Sequence, residues 1–358
     1  MAKVKRKISK KAKIALVSAL CTLLAAGIVI ACILLFPPKN TQNSGGGTQG
    51  GTTTDTTPVP VTNPLPTSNF VSQGKTDVFT YDLYEDYAII RRAAVGQKSL
   101  TVPADLEGKK VMAIAENAFA NSSVLEQVVL PDTIVEIGNY AFYSCTALKE
   151  ISLPDSVYEV GDYAFSDCES LKTVTLSRGV KNIGTYAFDN TAFLNEVKDD
   201  FVILGDGILV AYKGKGGSIT LPSDVKKISS LSLCETLTAL YIPTGVTEIG
   251  DYALAGCSNL ATLVIPDTVT YVGEKAFSCC SMLTGVRLGE GVTTLGDGAF
   301  AFCDNLKSVS FPKALTDIGE NLFEETKLLE TLYVSPDSKA EEYFKSTVYA
   351  SLVIADEE

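Results

Sequence analysis

A stretch of 23 residues returns along most of this chain, and that fixed period limits the folds open to it. The clearest copy runs from Ile151 to Thr173. The same frame recurs at Val128, Val174, Leu240, Leu263, Val286 and Val309, following I-x-L-P-x-x-V-x-x-I-G-x-x-A-F-x-x-C-x-x-L-x-x. The last apolar position of its first motif recurs at Leu130, Leu153 and Leu176, and again at Ile242, Ile265, Leu288, Phe311 and Val334, in steps of 23. A unit this short cannot bury its own apolar face. Copies must stack, each covering the next, into a solenoid.

The unit reads position by position. Ile151 and Leu153 alternate with polar Ser152, as a half-buried strand requires. Pro154 lacks a ladder donor and ends that strand. Val157 and Val160 point inward on the return side, and Gly161 sits at a bend that a side chain would obstruct. Ala164, Phe165 and Cys168 fill the far end, and Leu171 closes the coil. Roughly six buried apolar side chains at roughly 1.5–3 kcal/mol each stabilise a stack but not a lone coil. Phe142, Phe165, Phe188, Phe277 and Phe300 are expected to form one buried aromatic column. Tyr140, Tyr163, Tyr186 and Tyr252 share the place two after the repeat glycine. Other coils put Lys275, Gly298 and Asn321 there, so that place reads as exposed on the convex side.

The combination of L-P, I-G, A-F and C at these offsets resembles the BspA-type leucine-rich repeat proteins of bacterial and protozoan cell surfaces, over roughly residues 78–345. It lacks the recurrent Asn of eukaryotic leucine-rich repeats, so an asparagine ladder is not expected. The fold expected is a leucine-rich repeat solenoid, mostly β with short turns or 3-10 segments on its convex side. About nine coils are expected, with one hairpin insertion. The insertion is placed at about 197–217, where the period breaks. There Phe201–Leu204 and Ile208–Tyr212 flank Gly205-Asp206-Gly207, a hairpin pattern; the resemblance implies a similar G-D-G-I-L element. The coil from Ile219 to Ala239 is two residues short, with Leu231 and Leu233 in place of the usual aromatic.

Ahead of the repeats the composition changes three times. Residues 1–13 carry seven cations and no acid, a basic cytoplasmic segment. Ile14 to Phe36 is a run of 23 residues without a charge, long enough to cross a bilayer of about 30 Å as a helix. The positive-inside rule then puts the amino terminus in the cytoplasm and the remainder outside. This run reads as an uncleaved transmembrane anchor. Val29-Ile30-Ala31-Cys32 also resembles a lipobox, in which Cys32 would be acylated, and a cleaved signal peptide is the third reading. Residues 37–68, rich in Pro, Gly and Thr, form a flexible linker reaching about 30 Å. The ectodomain is 69–358, with an amino-terminal cap at about 78–99 built on a hairpin around Glu85-Asp86. A carboxyl-terminal cap at about 335–358 opens with the capping box Ser338-Lys339-Ala340-Glu341.

Composition removes most chemistry. The chain has no His, so the commonest general base and metal ligand is missing. Excluding the basic segment leaves 23 basic against 42 acidic residues, a balance of −19 that disfavours a nucleic-acid partner. Cys145, Cys168, Cys257, Cys280 and Cys303 share one repeat position, so their column follows from the period and does not imply zinc. They serve as small apolar fillers or, in neighbouring coils, approach disulfide range. Neither Gly45-Gly46-Gly47 nor Gly216-Gly217 has the context of a phosphate loop. No catalytic residue, cofactor site or metal site is expected, and the chain does not read as an enzyme.

What is left is recognition. The expected protein is a single-pass surface protein, anchored through residues 14–36, that binds a protein or glycan partner through its solenoid. The alternative is an envelope scaffold with a partner on the same cell. In each strand one residue faces the concave surface: Val129, Ser152, Thr175, Thr220, Tyr241, Val264, Arg287, Ser310 and Tyr333. Tyr and Arg are enriched at interface hot spots, which makes Tyr241, Val264, Arg287 and Tyr333 the candidate binding strip. Strand propensity alone also accounts for such residues, and both readings stand at this point.

Overall fold

The structure, a computed structural model, describes residues 65–176, 179–232 and 234–355. Residues 1–64, which hold the expected basic segment, the expected membrane span and most of the expected linker, lie outside them, as do Cys21, Cys32 and Leu233. Among the described residues no helix is long and apolar enough to cross a membrane.

Each coil lays one strand in a front row and one in a back row. In the front row Glu150–Ser152 pairs in parallel with Thr173–Thr175, placing Ile151 opposite Val174, one period away. The front row is two sheets, of four and seven strands, and back strands such as Glu159–Val160 form two more. The alternation survives in the burial: Ile151 and Leu153 are buried while Ser152 is exposed. Val157, Val160, Ala164, Phe165, Cys168 and Leu171 are all fully buried, so the coil register read from sequence holds.

The arcs joining back strands to front strands are successive turns, and the 3-10 stretch at Ala350–Leu352 belongs to the carboxyl-terminal end. Inside the arcs the phenylalanines stack in two columns, not one. Phe119, Phe142, Phe165 and Phe188 follow one another at 4.6, 5.0 and 5.3 Å, and Phe277, Phe300 and Phe323 at 5.5 and 6.1 Å. Between the columns Leu231 and Leu254 hold the aromatic position, which breaks the stack. The tyrosine place is also corrected. Tyr140, Tyr163, Tyr186 and Tyr252 are half-buried rather than exposed, at φ of 56°, 53°, 55° and 55°. This left-handed turn aims the rings along the solenoid axis, where Tyr140 lies on Tyr163 at 4.9 Å and Tyr163 on Tyr186 at 5.1 Å.

Two side-chain ladders join the coils. The residue after the repeat glycine accepts from the backbone N–H of its equivalent one coil on: Asn139 from Asp162 (2.8 Å), Asp162 from Thr185 (2.7 Å), Asp251 from Glu274 (2.7 Å) and Asp297 from Glu320 (2.8 Å). The glycine makes this approach possible, since a Cβ at Gly161 would lie 2.6 Å from the Asn139 nitrogen. In the second ladder the column thiols donate to a carbonyl of the preceding coil. Cys168 reaches Phe142 O at 3.1 Å and Cys303 reaches Phe277 O at 3.2 Å, while Thr326 makes the same bond to Phe300 O at 3.0 Å. Cys145, Cys168, Cys257, Cys280 and Cys303 are therefore free thiols acting as filler and weak donor together. Burial pushes the Cys257 and Cys303 thiols up to about 12.

The solenoid has about 12 turns instead of the nine expected, because the ends and the interruption are built into the stack. Phe70–Lys75, Phe79–Tyr84 and Tyr87–Ala93 form an antiparallel sheet whose last strand pairs in parallel with Lys109–Ile114 of the first coil. The Gly-Asp-Gly hairpin forms between Phe201–Leu204 and Ile208–Tyr212, and its second strand pairs in parallel with the back strand Lys227–Ile228. A short helix, Ala192–Glu196, precedes it, capped by Thr191. At the other end Ser338 caps the helix Lys339–Lys345, burying Phe344, and Val353–Ala355 continues the front row in parallel beside Thr331–Val334.

The short coil after Ile219 lacks the corner that other coils build after the glycine. Coils on either side of it meet there, the Thr185 hydroxyl donating to the Asp251 carbonyl. Phe165 has a ring above and below it and no exposure, so Phe165→Ala should cost about 3–5 kcal/mol in chemical denaturation. A loss below about 1 kcal/mol would place the residue outside the stack.

Candidate functional site

The inner residue of each front strand is consumed by the core, which leaves its neighbour free to face outward. In the seven-stranded front sheet the pairing aligns Thr220 with Tyr241, Val264 with Arg287, Arg287 with Ser310, and Ser310 with Tyr333. Leu240 faces Leu263, so Tyr241 adjoins Val264. The four residues chosen from sequence thus fall on one line across successive strands. Tyr241 is 60% exposed and Val264 59%, while Tyr333 is half-buried. From Tyr241 to Tyr333 is four strand spacings, about 19 Å. The Arg287 guanidinium meets Glu290 at only 3.9 Å, with both side chains largely exposed, so the pair is weak and the cation remains open to a partner.

Two features of this face were missed. Ile354, 50% exposed, extends the line because it sits opposite Tyr333 on the last strand. The other is a hollow of about 340 Å³ on the four-stranded front sheet, among Gln127, Val129, Glu150, Ser152, Thr173 and Thr175. Its walls mix the short Ser152, Thr173 and Thr175 with Gln127, Glu150 and the exposed Val129, and an empty space leaves no mark on a search for bulky anchors. Beside this sheet Glu126 joins Lys98 at 3.0 Å and Lys149 at 2.5 Å, and the lysines hold its carboxyl down to about 2.

The back strands carry the opposite kind of electrostatics. Their outward residues place Glu136 directly beside Glu159, and Lys227 beside Glu248 with an ion pair at 2.7 Å. Burial, then the negative charges of Glu136 and Asp162, push Glu159 up to about 7, against the pull of Lys227. Burial likewise lifts Asp162 to about 6, although the Thr185 N–H bonded to it opposes the shift. Among the described residues no group of three or more Cys, Asp or Glu is arranged to hold a metal ion.

A carboxyl whose folded pKa is raised binds its proton more tightly folded than unfolded. The stability from that bound proton is present below the ordinary value of 4.5 and is lost as pH rises through about 7. Glu126, Asp206 and Glu341, held below their ordinary values, lose their contribution only in stronger acid. The repeat domain should therefore melt higher at about pH 5 than at about pH 8. Glu159→Gln should raise Tm at the higher pH by about 2–4 °C and flatten the profile; an unchanged profile would show that Glu159 is not constrained in this way.

The family model for the BspA type leucine rich repeat region matches residues 98–203 and 229–347, with 6 copies. No curated protein matches the chain. Similar solved structures include a leucine rich cell surface protein of Faecalibacterium prausnitzii, 21% identical over 80% of this chain and 99% of that one, with a TM-score of 0.38. A leucine-rich repeat protein of Bacteroides ovatus is 19% identical over 79% of this chain and 100% of that one, with a TM-score of 0.35. The pneumococcal vaccine antigen PcpA is 16% identical over 80% and 99%, with a TM-score of 0.37.

Proposed function

Because the chain belongs to the BspA-type leucine-rich repeat family, we propose that it is a surface recognition or adhesion protein binding a protein or glycan partner through its front strands. Solenoids of this kind are typically non-enzymatic binding scaffolds, and the absence of His from the sequence fits that role. Residues 14–36 hold the protein in the membrane, and the linker 37–68 carries the solenoid away from it. The observation that carries the reading is the line Tyr241, Val264, Arg287 and Tyr333: apolar and aromatic surface kept at the front, with a cation at its centre. The core does not need these side chains there, since the inner residues of the same strands already fill it.

The test begins with the ectodomain, residues 69–358, screened against arrays of extracellular proteins and of glycans. Tyr241 and Arg287 are then changed together to Ala. Both side chains are largely exposed, so the double variant should melt within a degree or two of the parent while binding its ligand at least tenfold more weakly, roughly 1.4 kcal/mol or more. Unchanged affinity in a variant that melts like the parent rejects the strip.

A further inference from the structure

The interruption after Glu196 breaks the backbone ladder as well as the period. One back sheet ends at the strand Asn182–Ile183, the next contains Lys227–Ile228, and among the described residues no ladder joins those two strands. The buried core divides at the same place, into one cluster that ends at Val210 and another that begins at Leu209. Side chains span the break. The Ser229 hydroxyl donates to the Ile183 carbonyl at 2.5 Å, and the Lys227 ammonium donates to the Asn182 side-chain carbonyl at 2.6 Å. Glu248, beside Lys227 on the next strand, holds the same ammonium at 2.7 Å. The lysine side chain is only 18% exposed and that of Glu248 33%. An amine, a carboxamide and a carboxylate therefore meet in one half-buried row, although the first two lie 45 residues apart in sequence.

We propose that Lys227 and Asn182 condense into an isopeptide bond, with Glu248 as base and proton carrier, so that the two stacks become covalently joined. The approach is that of a nucleophile. A hydrogen bond of 2.6 Å to Oδ1 leaves the amide carbon about 3–3.7 Å from Nζ, in or near the range of a near-attack pair. Glu159, beside Asn182 on the preceding strand, makes no such contact with the lysine, which leaves Glu248 as the base in reach. Glu248 takes one proton from the ammonium and frees the lone pair of Nζ. Nζ adds to Cγ of Asn182, and the carbonyl π pair moves onto Oδ1. Glu248 passes its proton to Nδ2, the Cγ–Nδ2 bond breaks as the Oδ1 pair re-forms the carbonyl, and ammonia leaves. The carboxylate then collects the surplus proton from the new amide nitrogen and gives it to the ammonia, which departs as ammonium. One ammonium and one carboxamide have become one secondary amide and one ammonium ion, with no oxidant or reductant required. The bond closes a loop around the hairpin where the stack lacks its ladder, and constrains the unfolded chain as any cross-link does. It shares no residue with the front strip, so either assignment can fail without the other.

Tandem mass spectrometry of the purified full chain, digested after overnight incubation at neutral pH, tests it. The expected product is one branched peptide that joins the segments of Asn182 and Lys227 and is lighter by one ammonia than the two together. Lys227→Arg keeps the charge beside Glu248 and should yield linear peptides only; should it fail to fold, Asn182→Ala supplies the second loss. Glu248→Gln should lower the linked fraction at early times by at least about tenfold, since a positioned proton carrier is gone. Without the linkage Lys227→Arg should also melt roughly 10 °C below the parent. Linear peptides alone from the parent, a linked peptide that persists in Lys227→Arg, or an undiminished linked fraction in Glu248→Gln would overturn the assignment.

Discussion

The regular coils of this solenoid are held by groups 22 to 26 residues away. The backbone N–H of Gly161 donates to the Ile137 carbonyl, the N–H of Asp162 to the Asn139 side chain, and the Cys168 thiol to the Phe142 carbonyl. Apolar packing obeys the same rule, with Phe165 between Phe142 and Phe188. A coil's own turns satisfy only part of its polar groups, so none is stable without neighbours, and free energy is distributed as nearest-neighbour terms along the stack. Places where the period fails are consequently places where partners go missing. A cavity of about 120 Å³ between Leu194 and Leu231 lies where an arc is absent, and the contact of Thr185 with Asp251 closes over a coil two residues short.

The same constraint makes room for function. Each front strand gives its inner residue to the core, and its outward neighbour meets no structural demand beyond strand geometry. The two front sheets have used that freedom differently. The four-stranded sheet presents mostly polar residues, with Val129 among them, around a hollow, and the seven-stranded sheet presents Tyr241, Val264, Arg287, Tyr333 and Ile354 in a line. The back strands stack acid on acid, Glu136 beside Glu159, and that side contributes pH sensitivity.

The strands, the buried positions and the hairpin at Gly205-Asp206-Gly207 were legible in the sequence, because burial and turn chemistry repeat with the period. Other features were not, for identifiable reasons. Tyrosine is a poor sign of a left-handed turn, although Asn321 and Gly298 in the same column carried that signal. The acceptor ladder hides behind mixed identities, Asn139, Asp162, Thr185 and Asp251, of which only some accept. The coil count came out low because cap strands and the hairpin pair with the stack without carrying its motif. Ile354 was left off the strip because the last strand follows a helix instead of a repeat.

The central claim is that the chain is a translation of one unit, with every coil bonded to its equivalents one period away. Deleting residues 263–285 removes one full period and rejoins equivalent positions, whereas deleting residues 263–282 removes most of the same segment out of register. Circular dichroism melting of the two variants, made in residues 69–358, tests the claim directly. The account predicts that the in-period deletion keeps its β-sheet spectrum and one cooperative transition at a reduced temperature, while the out-of-register deletion unfolds or aggregates. Equal behaviour of the two variants would contradict it.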